Sequence, residues 1–199
     1  GIGNVRVLSE NGGTDTITFE RITGLLASQG QIVTQTPSML VAAIGFDSIN
    51  ASGDVSATAS LVGSKKADTF VGDSKSVVFT YNDGKMVSLS GIRSISITGN
   101  GGEDAATIVG DTGVNTLTAR NGSATLTGNT YSRTINGFTK VNIGRPDESI
   151  NSNYTAIVYD SVMDDTIVEE DNLVTVDFGG QEIYSLIAFD QISAKKEMN

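Results

Sequence analysis

Six carboxylates fall within twelve residues of the chain: Asp160, Asp164, Asp165, Glu169, Glu170 and Asp171. Calcium takes roughly six to eight oxygens in loose geometry, so this segment is the candidate metal site. The chain contains no His and no Cys, which removes the common general bases, thiol nucleophiles, zinc ligands and disulfides. Carboxylates, Lys, Arg, Tyr and Ser remain. Asp164 and Asp165 adjoin each other, but neighbours on a strand point to opposite faces, which argues against a catalytic carboxylate pair. No EF-hand spacing is present. The glycine runs "NGGTD" and "GNGGEDA" lack the Lys of a phosphate-binding loop and lead into no helix, so they read as turns. The expectation is a protein that is not an enzyme and requires no cofactor, with calcium the one ion its acids would suit.

The acidic segment is itself one copy of a repeat. In "VYDSVMDDTIVEE" (158–170), Asp165 is followed by Thr and an apolar residue, and the same sequence pattern follows Asp15, Asp68 and Asn115. A catalytic set would occur once, whereas these residues recur. An Asp or Asn in a turn accepts backbone N–H groups two residues on, closing an Asx turn. Asn115 serves that role as well as Asp does, while loss of a charge would weaken a calcium site. The recurring residues are therefore expected to close turns.

A second element sets the period. "GFDSINAS" begins at Gly45, "GIRSISIT" at Gly91, "GFTKVNIG" at Gly137 and "AFDQISAK" at Ala188, giving spacings of 46, 46 and 51 residues. Its fifth place holds Ile49, Ile95, Val141 and Ile192, and its seventh Ala51, Ile97, Ile143 and Ala194. A polar residue separates the two places, the two-residue period of a half-buried strand. The fifth-place side chains are expected to stack as one buried column, with the seventh-place ones beside it. "SVVFTYNDGKMVSLS" carries an Asp-Gly turn between alternating strands, a hairpin signal, and Gly179 and Gly180 stand at the equivalent point of the last unit. The clearest copy divides into "FDSINAS", "TASLVGS", "DTFVGD", "SVVFTYN" and "KMVSLS". No segment makes an amphipathic helix of about ten residues. The expected fold is all-β: a parallel β-solenoid or β-helix with some hairpins, with a β-propeller and stacked β-sandwiches as alternatives. Residues 1–199 form one array of about four units of 46–53 residues, beginning and ending mid-repeat.

Composition agrees. The 23 Gly, 22 Thr, 21 Ser and 14 Asn against two Pro suit short strands and tight turns better than long helices. Net charge is −10, from 23 acidic and 13 basic residues, which disfavours nucleic-acid binding through phosphate neutralisation. Between Arg145 and Lys195 there is no Lys or Arg but there are 11 Asp and Glu, a solvated acidic face or, on the second reading, a cation-binding one. No stretch approaches the ~18 apolar residues of a membrane helix.

"VYDSVMDDTIV", "VGDTGVNTLTA" and "GFDSINASGDVSATASLVGS" resemble the repeat arrays of very large secreted surface proteins of environmental bacteria, distantly similar to RTX calcium-binding repeats. The resemblance covers nearly the whole chain. It implies an extracellular β-repeat module with a structural or adhesive role in a scaffold, surface layer or adhesin. The tandem Gly-x-Gly-x-Asp of RTX repeats, whose successive turns supply calcium oxygens, is absent here. The expected partners are other copies or neighbouring domains of the same assembly. A virion fibre or decoration protein is the first alternative. A carbohydrate-binding or carbohydrate-active β-helix, with glycans as ligands, is the second. Asn50, Asn121 and Asn153 each open an N-x-S/T triplet, a number that chance supplies in a chain so rich in Asn and Ser.

Overall fold

The computed structural model describes residues 3–8, 16–28, 31–35 and 39–44 as backbone, and residues 46–146, 152–161 and 164–196 with side chains, except those of 54 and 55. All its regular elements are strands. Gly, Asn and paired small turns punctuate short runs of alternating apolar and polar residues, so each run buries one face and turns after about five residues.

The strands sort into units of five. The first unit comprises β1 (Gly3–Leu8), the two halves of β2 (Thr16–Ser28), β3 (Gln31–Gln35) and β4 (Met39–Ile44). The second comprises the two halves of β5 (Ser48–Val62), then β6 (Thr69–Gly72), β7 (Ser76–Thr80) and β8 (Met86–Ser90). The third holds β9 (Ser94–Thr98), β10 (Ala105–Val109), β11 (Val114–Arg120), β12 (Ser123–Thr127) and β13 (Ser132–Asn136). The fourth holds β14 (Lys140–Gly144), β15 (Asn153–Asp160), β16 (Asp165–Glu170), β17 (Leu173–Phe178) and β18 (Glu182–Ile187), and β19 (Gln191–Lys196) stands as the first strand of a fifth.

One pairing rule builds the whole array. The last three strands of each unit form an antiparallel meander, as in β6–β7–β8, β11–β12–β13 and β16–β17–β18. The third strand of a unit pairs in parallel with the second strand of the next: β6 with β10 and β11 with β15. The second strand pairs with the first strand of the following unit, and that first strand pairs with the fifth strand of its own unit, as β10–β14–β18 shows. Thr69 thus lies beside Ala105, 36 residues on, and not beside its sequence equivalent in the next unit. The coil is shorter than the sequence period because the meander's return strand travels backwards.

Followed through the chain, the rule gives two runs. Sheet one is ordered β1-β4-β3-β2 (24–28)-β5 (58–62)-β9-β13-β12-β11-β15-β19. Sheet two is ordered β2 (16–19)-β5 (48–52)-β8-β7-β6-β10-β14-β18-β17-β16. Strands β2 and β5 change partners along their length and belong to both, so pairing is continuous through the 19 strands of the described residues. Successive units place their meanders in opposite sheets. Each sheet buries alternate residues, and the buried faces share one apolar cluster. This is the expected solenoid, with each turn flattened into two layers. Blades of a propeller would not share strand pairing from one unit to the next.

The single column expected of the equivalent Ile and Val residues is corrected by this alternation. Ile49, Ile95 and Val141 are buried, but they divide between the sheets. Ile95 and Ile192 share a row in sheet one with Ala59, Arg133, Leu126, Leu117 and Ala156. Ile49 and Val141 share a row in sheet two with Val87, Phe79, Phe70, Ala106 and Tyr184. Rows are built from strands that are not sequence equivalents, which is why residue volumes vary along them.

Candidate functional site

The acidic segment lies at one end of the array. Asp160 ends β15 and is exposed, with Lys196 as its register partner on β19. Asp164 is exposed ahead of β16. Asp165 pairs with Phe178 and Glu169 with Val174, both buried residues of β17, so these acids share the inward side of β16 with Ile167. Glu170 takes the opposite side, and Asp171 occupies the turn to β17 with φ at 47°. The acids are strung along a strand edge, and among the described residues no three metal-ligating side chains gather into one cage. An open cleft of about 200 Å³ between β16 and β19 brings Asp160 and Asp165 together, beside Lys195, Lys196, Ile167 and Phe178. The lysines oppose the charge that would draw in a cation.

The repeating Asp/Asn position makes a turn lock. Asp68 accepts hydrogen bonds from the Ser64 amide at 2.5 Å and the Ser64 hydroxyl at 2.9 Å, and from the Asn82 amide at 2.8 Å. Asp165 accepts from the amide and hydroxyl of Ser161 at 2.5 and 2.7 Å. In the third unit the chemistry is inverted. Asn115 Nδ2 donates to the Asp111 carboxylate at 3.1 Å and to the Asp111 and Gly113 carbonyls at 3.0 Å each. The expectation of an Asx turn is corrected here: the partner stands four residues before, not two after. The loop must be clamped where the chain crosses from one sheet to the other, and that crossing precedes the third strand. Asp15 lies outside the described residues. Thr16, which follows it, opens the second strand of its unit and pairs with Ser48, so that stretch is equivalent to Ala105–Ile108 and not to Thr69–Gly72.

Several chemically distinctive residues escape a reading of the repeat. Asp104 is fully buried. Its Oδ1 accepts the Asp68 amide at 2.8 Å, while Oδ2 meets no geometrically good donor among the described residues and has the Asn100 backbone beside it. Burial, with the Asp68 carboxylate nearby, raises its pKa above the ordinary carboxylate value. The signal for it was "NGGED", which matches "NGGTD" at the same place in the first unit. Arg133 stands in an inward row among apolar residues and is fully buried. Its guanidinium donates to the carbonyls of Asp73, Ile92, Arg93, Ser132 and Ser74 at 2.8–3.2 Å. Desolvation lowers its pKa to about 10, so it stays cationic at neutral pH. Tyr131 donates to Asn115 Oδ1 and Tyr154 to the Asp111 carbonyl, with both phenols pushed upward by burial. Gly110 makes room for these rings: a Cβ there would stand 2.1 Å from the Tyr154 hydroxyl.

These groups bond backbone or one another across a loop or a rung. Their chemistry is spent on joining turns, the role an apolar core cannot fill where the chain leaves the sheet. No family model matches the chain, and no curated protein or solved structure does.

Proposed function

We propose that the chain is a non-enzymatic extracellular module of a β-repeat array, with a structural or adhesive role in a scaffold, surface layer or adhesin. The observation that supports this is the pairing rule itself. Every third strand that has a following unit takes the next second strand as its parallel neighbour, whereas among the described residues β16 pairs only with β17. Its inward Ile167 is 44% exposed and its outward Val168 46%. Such an edge accepts another strand, and the first half of β2 is a second strand whose sole described neighbour is β5. The first half of β2 is the strand type that β16 lacks, and β1 and β19 are both first strands, so one of the two must yield its place when copies stack. The partners are other copies or neighbouring repeat domains.

Light scattering and sedimentation over a concentration series test the reading. Growth by whole-chain increments, abolished in Ile167→Lys, is expected. A monomer at every concentration would overturn the self-association part. Protease shaving of intact source cells tests the location, and protection from the protease would overturn it.

A further inference from the structure

The outward sides of the two sheets differ in a way that the core does not require. In sheet one, six adjacent strands present Ser60, Ser96, Thr134, Thr125, Thr118 and Ile157 in one unbroken outer row. The next row holds Thr58, Ser94, Ser132, Thr127, Thr116 and Thr155. Eleven of these twelve positions carry a hydroxyl and none a charge. All are exposed or half-buried, and the register has no bulge between Thr58 and Thr155. Thr125 Oγ1 and Thr134 Oγ1 stand 3.1 Å apart across neighbouring strands.

Strand propensity alone favours Thr on a solvent face, and sheet two is the internal control. It has the same fold, yet its outer row runs Asn50, Ser88, Val78, Val71, Thr107 and Asn142, and the adjoining row includes Met86 and Lys140. The uniform hydroxyl field belongs to one side only.

We infer that this face binds the surface of ice. Neighbouring strands lie roughly 4.7–4.9 Å apart and alternate residues along a strand roughly 6.6–6.8 Å apart, while the Thr125 and Thr134 hydroxyls lean together across one strand pair. Water oxygens joined at about 2.7–2.8 Å in a tetrahedral network place second neighbours about 4.5 Å apart. The strand spacing therefore approaches a repeat of the ice lattice along six consecutive rungs, with bridging waters taking up the difference. Thr combines a hydroxyl with a stiff χ1, so ordering the field costs little side-chain entropy. Charged side chains, which hold hydration shells that ice excludes, are absent from both rows. Aromatic side chains are absent from both rows as well; Tyr159, with Arg120 stacked over its ring, stands in the outer row alongside them. The inference supplies the ligand for the adhesive reading above and rests on that reading for its biological use. Ice binding is measured on the purified chain, so its outcome is independent of where a cell places the protein.

The test is partition into a slowly growing ice front, together with inhibition of ice recrystallisation, for the wild type, Thr118→Tyr, Thr134→Lys and Asn142→Tyr. The wild type is expected to enter the ice and to halt grain growth. Thr118→Tyr and Thr134→Lys, in the middle of the field, should each lower activity at least tenfold with unchanged circular dichroism. Asn142→Tyr, on the outer side of sheet two, should retain it. Exclusion of the wild type from ice, full activity in both field variants when folded, or capture by crystalline chitin or cellulose without capture by ice would overturn the inference.

Discussion

Asn115 donates to the Asp111 carboxylate at 3.1 Å, where the corresponding pair one unit earlier has Asp68 accepting from Ser64. Acceptor and donor have exchanged places across the same four-residue loop. The exchange keeps one carboxylate per loop, in a site where Asn115 and Asp68 are both buried. Two carboxylates at that separation would repel in a medium of low dielectric.

Asn115→Asp is accordingly expected to destabilise the fold by about 2–3 kcal/mol, since it loses the Nδ2 donor and adds a like charge. Adding Asp111→Ser, which rebuilds the Ser64–Asp68 arrangement, should recover most of the loss. Urea denaturation of the two variants reads this coupling. Equal loss in the single and double variants would count against the loop lock.

Asp104 gives the fold a pH dependence of definite sign. Its folded pKa is raised, so between the unfolded and folded values the native state holds more protons, and stability falls as pH rises through that window. Asp104→Asn retains an oxygen for the Asp68 amide without the charge. It should raise stability at pH 7 by about 1 kcal/mol and flatten the profile of melting temperature against pH above the ordinary carboxylate range. A lower melting temperature at pH 7 would show that the charge is needed.

Position along the array decides the cost of core truncation. Ile95, 3% exposed between Ala59 and Arg133, should lose about 2–5 kcal/mol on replacement by Ala. Ile192 is its sequence equivalent and shares its row, but it is only partly buried on the edge strand β19. Its replacement should cost under about 1 kcal/mol. Chemical denaturation of both variants checks the ratio, and equal losses would mean that β19 is covered in solution.

Millimolar calcium is expected to leave the melting temperature unchanged. Lys195 and Lys196 share the cleft with Asp160 and Asp165, and Ser161 already engages Asp165. A ligand that binds only the folded state raises its stability, so a clear rise in a thermal scan, reversed by a chelator, would make the acidic segment a metal site.

The strand content was legible in the residues because alternation of apolar and polar positions is local. The five strands of the second unit and the turns at Gly84 and at Gly179–Gly180, all with positive φ, fall where the sequence places them. Ala188, with φ at 58°, occupies the place of Gly91 and Gly137 at 67° each, so the repeat persists there despite the lost glycine. What stacks on what was not legible. Sequence equivalence pairs Ile49 with Ile95, whereas hydrogen bonding pairs Ile49 with Val87 and Ile95 with Ala59. Nothing local records that a return strand shifts the ladder by one place. The loop lock was half legible: Asp68, Asn115 and Asp165 stand out as a column, but their partners four residues back vary between Ser and Asp and show no repeat by identity. Arg133 gives no local signal of its burial, because four of its five compensating carbonyls come from loops about 40 and 60 residues away.

Because successive units send their meanders into opposite sheets, the smallest increment that restores the molecule to itself is two units. Duplicating one unit would exchange the outer sides of all that follows and transfer a block of three hydroxyl-bearing strands to the opposite wall. Lengthening the field by gene duplication therefore has a parity: even insertions extend one continuous face, and odd ones divide it between two.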